Sequence, residues 1–116
     1  MSKDGFTYSS KKIDVNKKIT IVASKWNAEL VNKLLDSGKA HLEALGFTDL
    51  KIVYVPGAWE LVHAAQIELV HADGVIAYGV VIRGETTHYE LISESTAQGL
   101  MQLSINTNKP IGFGLI

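Results

Sequence analysis

The stretch Gly79-Val-Val-Ile-Arg-Gly-Glu-Thr-Thr-His-Tyr-Glu90 decides the fold. It opens as an apolar run, turns at Gly84 and restarts on polar residues ahead of another periodic segment. That order reads as a strand, a tight turn and the start of a helix. In an open α/β sheet, ligands bind outside the carboxyl ends of the strands, where such turns lie. A turn running into a helix also presents backbone N–H groups to a phosphate. Arg83 and His88 flank it, so a fixed charge and a titratable group share one short region.

Before this stretch, Gly74 to Ile82 is nearly all apolar, as a central parallel strand covered on both faces should be. Lys18 to Ser24 is β-branched and reads as a buried strand, and Leu50 to Val55 as another, closed by Pro56-Gly57. Between them a helix is predicted, capped by the Asn27 side chain and stopped at Gly46. Its apolar face combines Leu30, Val31, Leu34, Leu35, Leu42 and Leu45. Ala58 to Ala72 reads as a second helix, and His88 to Asn106 as a third, with Ile92, Thr96, Gly99 and Leu103 on one face. Asn106 to Pro110 breaks that helix, and Ile111 to Ile116 begins a fourth strand. The β-α-β-α-β-α-β order predicts a three-layer α/β/α sandwich around a four-stranded parallel sheet, flavodoxin-like in its layering. Three helices on two faces leave one face partly bare. Either a partner covers it or a further carboxyl-terminal piece does.

With 116 residues the chain is expected to be one domain, 1–116, which begins with a polar arm over 1–16. A formal charge of −1 and the absence of a basic stripe give no case for nucleic acid. There is no cysteine, hence no disulfide or thiolate metal site. No apolar run approaches the ~20 residues of a membrane span, and the amino-terminal arm lacks the apolar core of a secretory signal. A cytoplasmic location is the expectation.

Three strand ends converge in such a sheet: Ser24 to Asn27, Pro56 to Glu60, and Arg83 to His88, with Gly112-Phe113-Gly114 close by. Trp26 either covers the sheet end or stacks on a flat ring. Glu60, in a first helical turn, suits the helix dipole, and equally suits a polyhydroxyl chain that needs acceptors. Histidine exchanges protons near neutral pH, so His88 is the candidate acid–base group. His41, His63 and His71 read as surface or packing residues within helices, and no spacing suggests a metal. Gly79 to Thr86 has the glycine frame of a nucleoside-triphosphate loop, but Glu85 stands where lysine is required. The first strand–helix turn has no glycine, against a dinucleotide fold. A single phosphate on the amides of Glu85 and Thr86 remains open.

Ala23-Ser24-Lys25-Trp26-Asn27, Val55-Pro56-Gly57-Ala58-Trp59-Glu60, the Gly79 to Glu90 stretch and Phe113-Gly114 together resemble the lumazine synthase family, from about Lys18 to Ile116. The resemblance implies condensation of 5-amino-6-ribitylaminouracil with 3,4-dihydroxy-2-butanone 4-phosphate in riboflavin biosynthesis, with no cofactor. By position it assigns Trp26, in place of the family's usual phenylalanine, to ring stacking, with Asn27 in the same substrate-binding motif. Ala58, Trp59 and Glu60 hold the ribityl chain, and Val80, Val81 and Ile82 the pyrimidine edge. Gly84, Glu85 and Thr86 take phosphate, His88 shuttles protons, and Phe113 comes from a neighbouring subunit. It implies a homo-oligomer, a pentamer or a sixty-subunit shell, and two further carboxyl-terminal helices with a phosphate-binding arginine that the sequence to Ile116 lacks. Two other readings are a ligand-binding or shell-forming module with the same pocket, and a flavin-binding domain of similar layering.

Overall fold

The computed structural model describes residues 13–81 and 88–115. Strands β1 (Ile19–Ser24), β2 (Leu50–Val55), β3 (Gly74–Gly79) and β4 (Ile111–Leu115) form one sheet in the order β2-β1-β3-β4, every pair parallel. Helices α1 (Ala28–Leu45), α2 (Leu61–Glu68) and α3 (His88–Thr107) make the crossovers, as the sequence predicts. Among the described residues, no helix is long and apolar enough to cross a membrane.

The sheet is central because its strands are apolar on both sides. On one face Ile21 and Ala23 of β1 pack with Val31 and Leu35 of α1, joined by Leu42, Ile52, Ile76 and Tyr78. On the other, Val22, Val75 and Ala77 pack with Leu61, Ala65 and Leu69 from the α2 region and Leu100 of α3. Thus α1 covers one face and α2 with α3 the other. The expected bare region lies beside α1, where β4 presents Gly112 and Gly114 across from Ile76 and Tyr78. Those glycines expose little apolar surface. A Cβ at Gly114 would lie 2.8 Å from the Tyr78 ring, and the phenol oxygen occupies the space a Cβ at Gly38 of α1 would take. Tyr78 therefore fills part of the gap between helix and edge strand. Burial raises its phenol pKa above the ordinary tyrosine value.

Three local expectations are corrected. Asn27 does occupy the position before α1, but in left-handed backbone (φ 56°), and its side chain makes no capping bond. That geometry turns the amide away from the helix's first N–H groups, while the Asn27 carbonyl still accepts from Val31 N–H at 3.1 Å. The buried stripe of α1 is Val31 and Leu35; Leu30 and Leu45 face solvent, at 45% and 43% exposure. The far end behaves as predicted: Gly46 takes φ 109°, its N–H reaches Glu43 O, and Phe47 N–H reaches Leu42 O. This is the paired closure that favours glycine after a helix.

The third correction concerns Ala58 to Ala72, which is not one helix. It begins as a 3₁₀ turn (Ala58–Glu60), continues as α2, and ends in turns that hold His71, so His71 is not helical. A distant cation closes this segment: Lys109 Nζ donates to Leu69 O at 2.6 Å and to Ala72 O at 2.9 Å. Carbonyls left open at a helix end favour such a charge. Lys109→Met keeps the aliphatic stem and removes both bonds. It is expected to destabilise the chain by about 1–3 kcal/mol in a urea titration with unchanged slope. An unchanged midpoint would contradict the capping role.

Candidate functional site at the carboxyl ends of the strands

From β1 the chain crosses to β2 on one side and, later, to β3 on the other. The order reverses between β1 and β3, and crevices that bind ligands open at the carboxyl ends beside such a reversal. The loop after β1 carries Trp26 and Asn27; the residues after β3 are Val80 and Val81. The segment after β2 carries Ala58, Trp59 and Glu60. His88 opens α3 and is exposed. Parallel topology thus puts these groups at one end of the sheet. Ile82, Arg83, Gly84, Glu85 and Thr86 lie outside the described residues.

Backbone bonds fix the first two loops against each other. Lys25 N–H donates to Val55 O at 2.7 Å and Trp26 N–H to Pro56 O at 3.2 Å, prolonging the β1–β2 pairing past the strands. Trp26 and Trp59 are each 58% exposed, so large aromatic faces stand in solvent where a flat ring could stack. Val80 is buried and Val81 half-buried. Glu60 Oε1 accepts from Gly57 N–H at 2.8 Å, which holds the carboxylate across the mouth of its own turn. One carboxylate oxygen is therefore structural.

Close packing holds the turn from below. A Cβ added at Gly79 would meet Leu61 at 2.9 Å, Leu115 at 3.0 Å and Ala58 at 3.5 Å, so glycine lets Leu61 and Leu115 pack against the end of β3 without shifting. From α3, Thr96 Oγ1 stands 3.4 Å from Ala58 O. Thr96 is buried and links the helix that starts at His88 to the turn that carries Glu60. Sequence reading places Thr96 on the apolar face of α3 and misses this link, which spans 38 residues and has no local signature. It also passes over Ser24. Ser24 Oγ and Asn27 Nδ2 are both buried without a hydrogen-bond partner among the described residues. A serine ending an otherwise apolar strand, at the point where it enters a site, was the available signal.

Phe113 stands apart from this group. It pairs with Ala77 in mid-strand, on the outer edge strand β4, and lines a groove of about 230 Å³ with Ala97, Leu100, Met101, Ser104 and Ile111. Within one chain it does not join the two tryptophans, which follow β1 and β2 on the other side of β3.

These features define an open α/β sheet protein whose topological switch point lies at the end of the sheet that carries aromatic and polar loop residues. Residues 16–116 match the family model described as 6,7-dimethyl-8-ribityllumazine synthase, and the chain belongs to that family. It is similar to the 6,7-dimethyl-8-ribityllumazine synthase of Kineococcus radiotolerans, at 43% identity over 100 residues, covering 85% of this chain and 62% of the relative. The enzyme of the same name from Leuconostoc mesenteroides is 40% identical over 114 residues, with coverage of 94% and 73%. That from Leifsonia xyli is 39% identical, with coverage of 100% and 74%. The chain therefore spans 62% of the Kineococcus relative's length and about three quarters of the other two.

Proposed function

We propose that this chain condenses 5-amino-6-ribitylaminouracil with 3,4-dihydroxy-2-butanone 4-phosphate to 6,7-dimethyl-8-ribityllumazine, with loss of phosphate and water. The observation that carries this reading is the gathering of Trp26, Asn27, the Ala58–Glu60 turn, Val80, Val81 and His88 at the carboxyl ends of the strands beside the β1/β3 switch point. Trp26 stacks on the pyrimidine, whose edge lies along the backbone at Val80, Val81 and Ile82. Asn27 and the Ala58–Glu60 turn take the ribityl hydroxyls, with Glu60 Oε2 as an acceptor. Gly84, Glu85 and Thr86 hold the phosphate. The pyrimidine amine attacks the ketone carbonyl and loses water to give an imine, phosphate is eliminated, and the ribityl-bearing nitrogen closes the ring on the carbonyl that results, with loss of a second water. Each step moves protons between nitrogen, carbon and oxygen, and His88 is their carrier. Holding two substrates in place supplies much of the remaining rate, up to about 7–11 kcal/mol for ideal alignment.

The subunits assemble as a pentamer or a larger shell in the cytoplasm, with Phe113 reaching a neighbour's site. Support comes from the large apolar residues that α3 and β4 leave in solvent: Leu91, Met101, Ile105 and Phe113, at 57%, 59%, 66% and 43% exposure.

The chain has two tryptophans, Trp26 and Trp59, and both stand at this site, so tryptophan emission reports on it. Titration with 5-amino-6-ribitylaminouracil is expected to quench that emission to saturation, and Trp26→Ala to weaken binding about tenfold or more. Emission that ignores the pyrimidine, with saturable binding of FMN instead, would select a flavin-binding domain.

A further inference from the structure

The Ser24 hydroxyl has no part in the reaction as assigned above. Ser24 is 1% exposed, and its Oγ has no hydrogen-bond partner among the described residues. Alternation along β1 puts Thr20, Val22 and Ser24 on the α2 side of the sheet. Thr20 Oγ1 donates to Glu68 Oε1 of α2 at 3.4 Å, and Val22 packs with Leu61 and Ala65. One step beyond the Ala23–Tyr78 pair, Ser24 stands beside Gly79, and on that side Ala58 and Leu61 close over Gly79. The hydroxyl therefore lies on the side of the sheet that Ala58 and Leu61 cover, at the carboxyl end of the strand. A buried hydroxyl without a partner opposes folding, and alanine would fill nearly the same space without that cost. Orphaned buried groups in a native fold call for an explanation.

We propose that Ser24 Oγ is a specificity contact for the hydroxylated side chain of the pyrimidine substrate. A polyol hydroxyl can both donate and accept, so it satisfies Oγ whichever way that hydroxyl turns. Ser24 is buried in the free chain, so the contact requires the segment over it to shift when the polyol binds. The turn is held by Gly57 N–H to Glu60 Oε1, by Glu60 N–H to Gly57 O at 3.2 Å, by Leu61 N–H to Ala58 O and, from α3, by Thr96 Oγ1 to Ala58 O, the last long at 3.4 Å. This inference rests on the substrate reading above and adds a residue that selects the side chain rather than the ring.

The test compares the chain with its Ser24→Ala form, titrating tryptophan emission with 5-amino-6-ribitylaminouracil and with an analogue whose ribityl group is replaced by pentyl. Ser24→Ala is expected to weaken the ribityl ligand about tenfold, to leave the pentyl analogue unchanged, and to hold or raise the thermal midpoint. Should that variant not fold, Ser24→Cys keeps the shape with a much weaker hydrogen-bonding group and is expected to give the same ligand pattern. A variant that keeps the full preference for ribityl, that loses both ligands equally, or whose midpoint falls by several degrees overturns this inference alone. If the unsubstituted chain binds neither ligand, the substrate reading falls and this inference with it.

Discussion

Replacing His88 with alanine is expected to slow formation of 6,7-dimethyl-8-ribityllumazine about 10²–10⁴-fold, the usual contribution of a positioned acid–base group. His88 is the first residue of α3, at the same end of the sheet as Trp26 and the Ala58–Glu60 turn. The other histidines offer no substitute: His41 is on α1, His63 on α2 and His71 in the turn after α2. Binding of the pyrimidine ring is assigned to other residues, so the variant should bind it with little change. The loss therefore falls on turnover and not on affinity, the pattern of an interaction made in the transition state. A variant that binds and turns over like the parent would remove His88 from the chemistry.

Leu61→Ala is expected to produce the largest loss of stability, about 2–5 kcal/mol. Leu61 is fully buried, and it packs in the cluster that joins α2 and α3 to the sheet. Its side chain also stands 2.9 Å from where a Gly79 Cβ would be, beside Ala58, so it supports the turn that carries Glu60. Native domains hold only about 5–15 kcal/mol in total. The thermal midpoint should therefore fall by on the order of ten degrees or more. Ribityl-ligand affinity should fall with it, because the turn loses its support. A midpoint within a degree or two of the parent would mean that the surrounding side chains collapse into the space without cost.

The fold was legible because each strand carries its own signal. Ile19–Ser24 and Leu50–Val55 are β-branched or apolar except at Ser24 and Lys51, and Gly74–Gly79 is nearly free of polar groups. Polar or glycine-containing breaks follow each of these strands, and that marked the strand ends where a site must lie. What escaped reading depends on contacts between distant segments. Ala58 to Ala72 has helical spacing, yet Glu60 bonds back to Gly57 N–H and Lys109 gathers the carbonyls of Leu69 and Ala72, which leaves a shorter helix. Asn27 has the composition of a side-chain cap, but left-handed backbone puts its amide elsewhere. Leu30 and Leu45 fit the spacing of the α1 stripe but flank its buried arc, since one helix meets the sheet through a narrow line of contact. Within the candidate site, the aromatic and acidic residues stood out by type and place. Ser24 and Thr96 did not, because a small polar residue in an apolar segment looks like a neutral substitution until its neighbours are known.

The most direct measurement is steady-state turnover of 5-amino-6-ribitylaminouracil with 3,4-dihydroxy-2-butanone 4-phosphate by this chain, following lumazine fluorescence and released phosphate together. The expected result is catalysed formation of both in equal amounts, suppressed in the His88→Ala form. Saturable binding of the pyrimidine with no lumazine and no phosphate above the uncatalysed rate would contradict the enzymatic reading and leave a ligand-binding module on the same fold.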